Sequence, residues 1–363
     1  MVKHSRTQSF HQTRVVATVI FFPTIIALLA ISLVWSATAG QVETTPTQVM
    51  GSLLHSMRIS WLDGPDHANA EAALWYVRFP RIVVGAIVGA GLGVSGVLLQ
   101  GVFSNPLAEP GIIGVSSGAA VGASAAIALG ASTTAAHQGL GPWMVTLAAF
   151  IAGLCTTAFI YFASRRNGRS EVVTLILTGV ATNAMAGGII AFLTFIADNA
   201  ARDQIVFWQM GSIAGSSWTA AGIICVVTVP VSLIAWTLAK PLDLLSLGES
   251  QAHHLGVNVE RLRASIVVIV SLLVAVGVAF TGIISFVGLV VPHALRLIVG
   301  PGHRILIPAS ALGGALTLTI ADVVARTAIR GADLPLGMLT ALIGGPVFFY
   351  LLRRSRGHSG AWR

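Results

Sequence analysis

Along most of this chain the apolar residues neither alternate nor recur in stripes; they run on. Ten stretches carry at most one charged residue each: Val15–Ala37, Ile82–Val102, Gly111–Leu129, Trp143–Ala163, Val172–Ala197, Ala220–Ala239, Ala264–Thr281, Ile283–Val299, Ile305–Ala325 and Leu336–Leu352. A helix needs roughly 20 apolar residues to cross a hydrocarbon core about 30 Å thick. The pattern therefore predicts an all-α polytopic membrane protein with about ten transmembrane helices, the Ile283 segment being the shortest. A membrane barrel alternates with period two, and that period is missing here.

Composition sharpens the picture. Of 363 residues 55% are hydrophobic and 9% charged, with a mean hydropathy of +0.84. Ordinary soluble domains carry about 25% charged residues, so a soluble enzyme and a disordered chain are both excluded. Cys155 and Cys225 lie inside apolar runs, where a free thiol is one more small hydrophobe. The net charge of +8 does not call for nucleic acid, because membrane proteins keep Lys and Arg in cytoplasmic loops. With both ends inside, 15 of the 21 basic residues fall on the cytoplasmic side, against 5 of the 13 acids. This predicts an even number of spans with both termini cytoplasmic. The whole chain, 1–363, reads as one membrane domain with a cytoplasmic tail (1–14), an external loop (38–77) and a cytoplasmic loop (240–263). The external loop shows no pattern of a folded core of its own. The basic start and Ser36-Ala37-Thr38-Ala39 resemble a cleavable signal peptide, but the apolar run exceeds the usual 7–15 residues of such a segment. It is read as a retained first helix.

Two features concern packing. Gly85, Gly89 and Gly93 recur every four residues, the spacing that lets two helix backbones approach closely. The segment Gln100–Gly111 contains Asn105, Pro106, Glu109 and Pro110 and cannot continue a lipid-facing helix, so it reads as a tight turn between packed helices. A second break falls at Thr281–His293. The middles of the spans lack the carboxylates that an ion-coupled carrier uses, which leaves a secondary transporter as a remote alternative. Neither Lys3 nor Lys240 follows glycine, so the chain has no phosphate loop and is no ATPase itself.

Several separated blocks carry a resemblance: Arg78-Phe79-Pro80-Arg81, Asn105-Pro106-Leu107-Ala108-Glu109-Pro110-Gly111, Leu247-Gly248-Glu249 through Leu255-Gly256, Gly288-Leu289-Val290-Val291-Pro292-His293, and Leu334-Pro335-Leu336-Gly337. In this order they resemble the permease subunits of type II ABC importers, which take up haem, ferric siderophores and vitamin B12. The resemblance implies a homodimer around a central pathway in the inner membrane of a bacterium. It also implies a cytoplasmic ATPase dimer carrying ATP and magnesium, and an extracytoplasmic substrate-binding protein. No catalytic, metal or cofactor site is expected on this chain itself.

Residue by residue, the resemblance makes Leu247, Gly248, Glu249, Ala252, Leu255 and Gly256 the element that couples to the ATPase. It makes Arg78, Arg81 and Arg326 docking points for acidic side chains of the binding protein; interfacial anchoring is the plain alternative for them, and Arg330 receives no role. It places Thr174, Thr178, Thr182, Asn183, Met185, Trp208 and Met210 on the pathway, with the Gly344–Pro346 region. The inner gate of the family is replaced here by Arg169-Ser170-Glu171-Val172-Val173, so no gate residue is named. Phe207–Ser212 and Gly300–Arg304 look most like the haem branch, with siderophore second and cobalamin third. His253, His254 and His293 are candidate haem ligands, though for the first two a solvated surface position is the plainer reading.

Overall fold

The computed structural model describes residues 2–40, 44–59, 61–65, 67–130, 141–166, 169–329 and 331–356. Ten helices correspond to the expected spans: α1 (Val2–Thr38), α4 (Phe79–Val102), α5 (Val115–Gly130), α6 (Gly141–Ala163), α7 (Val172–Ile196), α9 (Trp218–Thr237), α12 (Val259–Thr281), α13 (Val287–Val299), α14 (His303–Thr327) and α15 (Leu336–Arg356). Between them lie α2 (Pro46–Ser56), α3 (Ala68–Ala73), α8 (Asn199–Met210), α10 (Ala239–Leu245) and α11 (Glu249–His254). A two-residue ladder pairs β1 (Arg165–Arg166) with β2 (Arg169–Ser170) just before α7. Seven of the spans are long apolar helices, and α5, α13 and α15 are shorter ones. One face of the bundle carries α2, and the opposite face carries α10 and α11. Helix α1 starts, and α15 ends, on the α10 face.

Two boundaries differ from the sequence expectation. The second span extends back through a π-helical turn at Leu74–Arg78 and α3, so that Ala68–Val102 is one continuous rod. Pro80 does not break it, because it follows directly on the π turn, a local widening of the ladder that accommodates a missing N–H inside a membrane helix. The segment before it is also not coreless: Ala37, Val49, Leu74, Phe79 and Ile82 form a small apolar cluster of their own. At the other break, α13 begins at Val287 rather than Ile283. Gly282 (φ 68°) and Phe286 (φ 66°) take left-handed backbone there, which a helix cannot accommodate. Pro292 lies inside α13 instead of ending it.

Helix α4 is the centre of the bundle and packs against α9, α12, α13 and α14. A β-carbon on Gly89 would stand 2.3 Å from the carbonyl oxygen of Gly314, and one on Gly93 would stand 2.1 Å from that of Ser310. Reciprocally, one on Gly314 would meet the Gly89 oxygen at 2.0 Å. Lipid tails are as apolar as leucine, so this contact is held by dispersion between backbones in close approach. Three buried hydroxyls near this contact and in α12 are satisfied within their own helices. Ser95 donates to the Gly91 carbonyl (2.7 Å), Ser271 to Val267 (2.6 Å) and Thr319 to Ala315 (2.8 Å), each one helical turn back.

The packing yields a test. Gly89→Ala forces α4 and α14 apart and should lower stability in detergent by about 1–3 kcal/mol, the usual cost of overpacking. Gly222→Ala, where nothing lies within 4 Å of the added carbon, should hold or raise the thermal midpoint, because alanine is the better helix former. Equal midpoints for the two variants would refute the close-contact account.

Candidate functional site

On the α10 face two short helices make a knob. Leu242, Leu245 and Ala252 turn inward and are buried, which packs α10 and α11 onto the bundle. The turn between the helices depends on Gly248 (φ 110°), and the exit from α11 on Gly256 (φ 86°); side chains other than glycine rarely adopt such backbone. The Val257 N–H closes the end by donating to the Ala252 carbonyl (2.9 Å). Two polar ties fasten the knob, an ion pair and a histidine–carboxylate contact. Glu249 at the start of α11 pairs with the buried Arg263 of α12. Asp243 of α10 accepts from both the backbone N–H (2.9 Å) and the Nδ1 (2.6 Å) of His303, at the start of α14.

The six coupling candidates thus divide by role. Gly248 and Gly256 shape the turns, Ala252 is packed inside and Glu249 is committed to Arg263. Leu247 and Leu255 remain, large apolar side chains 62% and 56% exposed. His253 and His254 are exposed on α11 beside them. Burial raises the Asp243 pKa, but the hydrogen bonds and charge of His303, with Arg296 nearby, outweigh it and hold the carboxyl below its ordinary value.

On the α2 face, Arg78, Arg81 and Arg326 converge, but not as free surface charges. Arg81 is 6% exposed and bonds Asp322 at 2.9 Å and Asp333 at 2.7 Å. Arg326 bonds the Ser36 hydroxyl (2.7 Å) and the Ala39 carbonyl (3.1 Å). It also meets Asp322 at 3.2 Å, as touching charges without hydrogen-bond geometry. Arg78 bonds the Ala37 carbonyl (2.6 Å) and the Thr44 hydroxyl (2.7 Å). Their guanidinium edges still line an open recess of about 550 Å³ with Gly331 and Asp333. Burial and pairing follow from one another, since a charge removed from water must find a partner. Arg330 lies outside the described residues.

The expected pathway residues separate as well. Thr178 and Thr182 donate to the carbonyls of Thr174 (2.7 Å) and Thr178 (2.8 Å), and Thr174 donates to Glu171 (3.1 Å). With their hydroxyl protons so engaged, these half-buried threonines present mainly methyl groups outward. Asn183 turns into its own bundle, donating to the Gly111 carbonyl (3.1 Å) and accepting from Ser117 (2.6 Å). Met185 is exposed, as are Leu177, Ile189 and Phe192 of α7, Phe207 of α8 and Leu342 of α15. Trp208 is half-buried and packed on the core, and Met210 is half-buried at the end of α8.

Asn105 forms the expected tight turn, its side-chain oxygen accepting from the Leu107 N–H (2.9 Å). Beyond Pro106, Pro110 starts a 3-10 turn against Gly288. Glu109 lines a recess of about 290 Å³ together with Ser116, Ser117, Asn183, Gln209 and Ser285. His293 is buried, 6% exposed, and neither ring nitrogen has a hydrogen-bond partner.

Sequence reasoning missed the partners in these clusters: Asp243, Arg263, His303, Asp322 and Asp333. His303 drew notice only within the phrase Gly300–Arg304. A charged residue at the edge of an apolar span was the available signal for Arg263 and Asp322.

Comparison with known proteins adds the rest. The FecCD transport family model matches residues 28–354. The hemin transport system permease protein HmuU of Yersinia pestis is 37% identical over 311 residues, covering 85% of this chain and 90% of that protein. The cobalamin import system permease protein BtuC of Halobacterium salinarum is 43% identical over 285 residues, covering 78% and 74%. A solved inward-facing structure described as of a metal-chelate type ABC transporter superposes with a TM-score of 0.79 at 34% identity, covering 92% of this chain and 99% of that one.

The depressed Asp243 pKa fixes the sign of a pH effect. A carboxylate favoured in the fold contributes stability above its unfolded value of about 4 and loses it as pH falls through the lower folded value. Hydrogen-exchange protection across 239–263, taken relative to the intrinsic exchange rate at each pH, should therefore be high at neutral pH and fall on strong acidification. Asp243→Asn should exchange faster already at neutral pH, with a flatter acid limb. A variant matching the parent throughout would show that the His303 tie does not hold the knob.

Proposed function

We propose haem, or a related iron chelate, as the cargo of this chain, which belongs to the FecCD transport family and is a permease subunit of an ATP-binding-cassette importer. It is a multi-pass membrane protein and not itself an enzyme; ATP hydrolysis resides on a separate subunit. The observation that supports haem is the 37% identity to a hemin permease along 85% of this chain, together with Phe207–Ser212 and Gly300–Arg304. Cobalamin is the second reading, favoured by the 43% identity to a cobalamin permease. A ferric siderophore is the third cargo.

The α10 face is the cytoplasmic one in this reading, in keeping with the basic bias of its segments, and both termini lie there. Leu247 and Leu255 enter a cleft on a cytoplasmic ATPase dimer, which carries ATP and magnesium; this chain itself holds no cofactor. Closure of that dimer on nucleotide displaces the knob, and the ties Glu249–Arg263 and Asp243–His303 pass the displacement to α12 and α14 as whole bodies. Packed elements respond by shifting between discrete arrangements rather than by bending. A second copy of this chain covers the exposed apolar faces of α7, α8 and α15, and the cargo passes between the copies along a wall of methyl groups. On the other face, an extracytoplasmic binding protein presents acidic side chains to the recess edged by Arg78, Arg81 and Arg326. Such pairing sets orientation and speeds encounter more than it adds affinity.

Proteoliposomes holding this chain, its ATPase and its binding protein should take up haem on ATP addition. Uptake of cobalamin or a ferric siderophore alone would replace the cargo and leave the permease mechanism intact. Uptake that survives ATP depletion but stops when the ion gradient collapses would refute the mechanism. Because both leucines are exposed, Leu247→Glu with Leu255→Glu should abolish ATPase co-purification without lowering the thermal midpoint of the permease; retained ATPase would refute the docking role.

A further inference from the structure

The segment between α1 and α4 contains a helix that transport does not account for. Helix α2 starts at a capping box, in which Thr45 Oγ1 accepts from the Gln48 N–H (3.3 Å) and Gln48 Oε1 accepts from the Thr45 N–H (3.0 Å). Its circumference divides in three. Val49 and Ser52 are buried against the bundle. Thr47 and His55 are exposed and polar, on either side of Gly51, which is buried against the Asp63 carbonyl. Between these faces Met50, Leu53 and Met57 are exposed and apolar, at 43%, 38% and 70%. Their spacing of three and four residues puts them on one stripe. Trp61, 86% exposed, continues the apolar surface beyond the helix. Arg58 stands exposed between Met57 and Trp61, with left-handed backbone at φ 63°.

The height of this stripe is fixed by tryptophans. Trp75 donates its indole N–H to Ser52 Oγ of α2 at 2.9 Å. Trp218, the first residue of α9, donates its own to the Trp75 carbonyl at 2.7 Å. Their rings lie 6.2 Å apart. Trp35 near the end of α1 and Trp143 near the start of α6 are exposed on this same face of the bundle. Tryptophans at the ends of spans collect at the headgroup level of a bilayer, so α2 is bonded directly to that belt. A helix with one face on protein, one apolar face and one polar face, held at this level, matches the boundary where protein, lipid and water meet. A neighbouring positive charge favours headgroup phosphates.

We infer that α2, with Met50, Leu53, Met57 and Trp61, is an interfacial anchor lying in the headgroup–acyl boundary of the phospholipid leaflet on the α2 face. The anchor holds in place the chain leading to Thr44, which bonds Arg78 at the rim of the arginine recess.

The test uses the full chain with Cys155→Ala and Cys225→Ala, reconstituted in phosphatidylethanolamine–phosphatidylglycerol vesicles. Leu53→Cys, Met57→Cys and His55→Cys are introduced singly and labelled with an environment-sensitive nitrobenzoxadiazole. At 53 and 57 the emission should shift to the blue, lose its quenching by iodide supplied on both sides, and be quenched by lipid carrying a shallow nitroxide. At 55 the pattern should reverse. Iodide quenching at all three positions would place α2 in water and overturn the anchor. Shielding from iodide without nitroxide quenching would mean that a second copy covers the stripe, and shielding that appears only on adding the binding protein would assign it to that partner; either result overturns the lipid assignment.

Discussion

The contact on which the rest of this molecule depends is the one between α4 and α14, where Gly89 meets Gly314 and Gly93 meets Ser310 backbone to backbone. It brings two long helices closer than side chains would allow, and the ends of those helices reach both candidate docking surfaces. On the α2 face, Arg81 of α4 pairs with Asp322 of α14. On the α10 face, a β-carbon on Gly101 of α4 would come within 2.5 Å of His303 Nε2 of α14, and His303 is the residue that grips Asp243. Helix α14 alone, 25 residues from His303 to Thr327, spans roughly 37 Å at 1.5 Å per residue. It joins the knob to the arginine recess without a break.

The spans were legible because length and hydropathy are local properties, and so was the knob, whose glycines and proline punctuate a short polar stretch. The meaning of Arg81 was not legible. Its partners Asp322 and Asp333 are 241 and 252 residues away in sequence, and nothing local distinguishes a paired arginine from an exposed one. The same holds for Asp243 and His303, 60 residues apart. The orientation of Asn183 was not legible for a different reason. Its helical spacing beside Thr182 is compatible with either face of α7, and only the carbonyl of Gly111 decides between them. The late start of α13 depends on Phe286 holding left-handed backbone, for which a phenylalanine gives no signal.

Cargo is the property least represented in the wall. The threonines of α7 spend their hydroxyls on their own helix, and their neighbours are methionine, isoleucine and phenylalanine. With those protons committed, such a surface has few directional donors for a porphyrin, a corrin or a chelate. On the proposed reading, selection is left to what delivers the cargo. This fits relatives that share this fold and a comparable identity while carrying names for different cargoes.

The α4–α14 contact also constrains the length of the chain itself. Arg81, Gly89 and Gly93 must face α14 together, and each added residue turns a helix by about 100°. One inserted residue between Arg81 and Gly89 would carry the arginine away from Asp322 or drive a side chain into the Gly314 carbonyl, whichever half of the helix gave way. Between its charge and its glycines this rod tolerates no change of register.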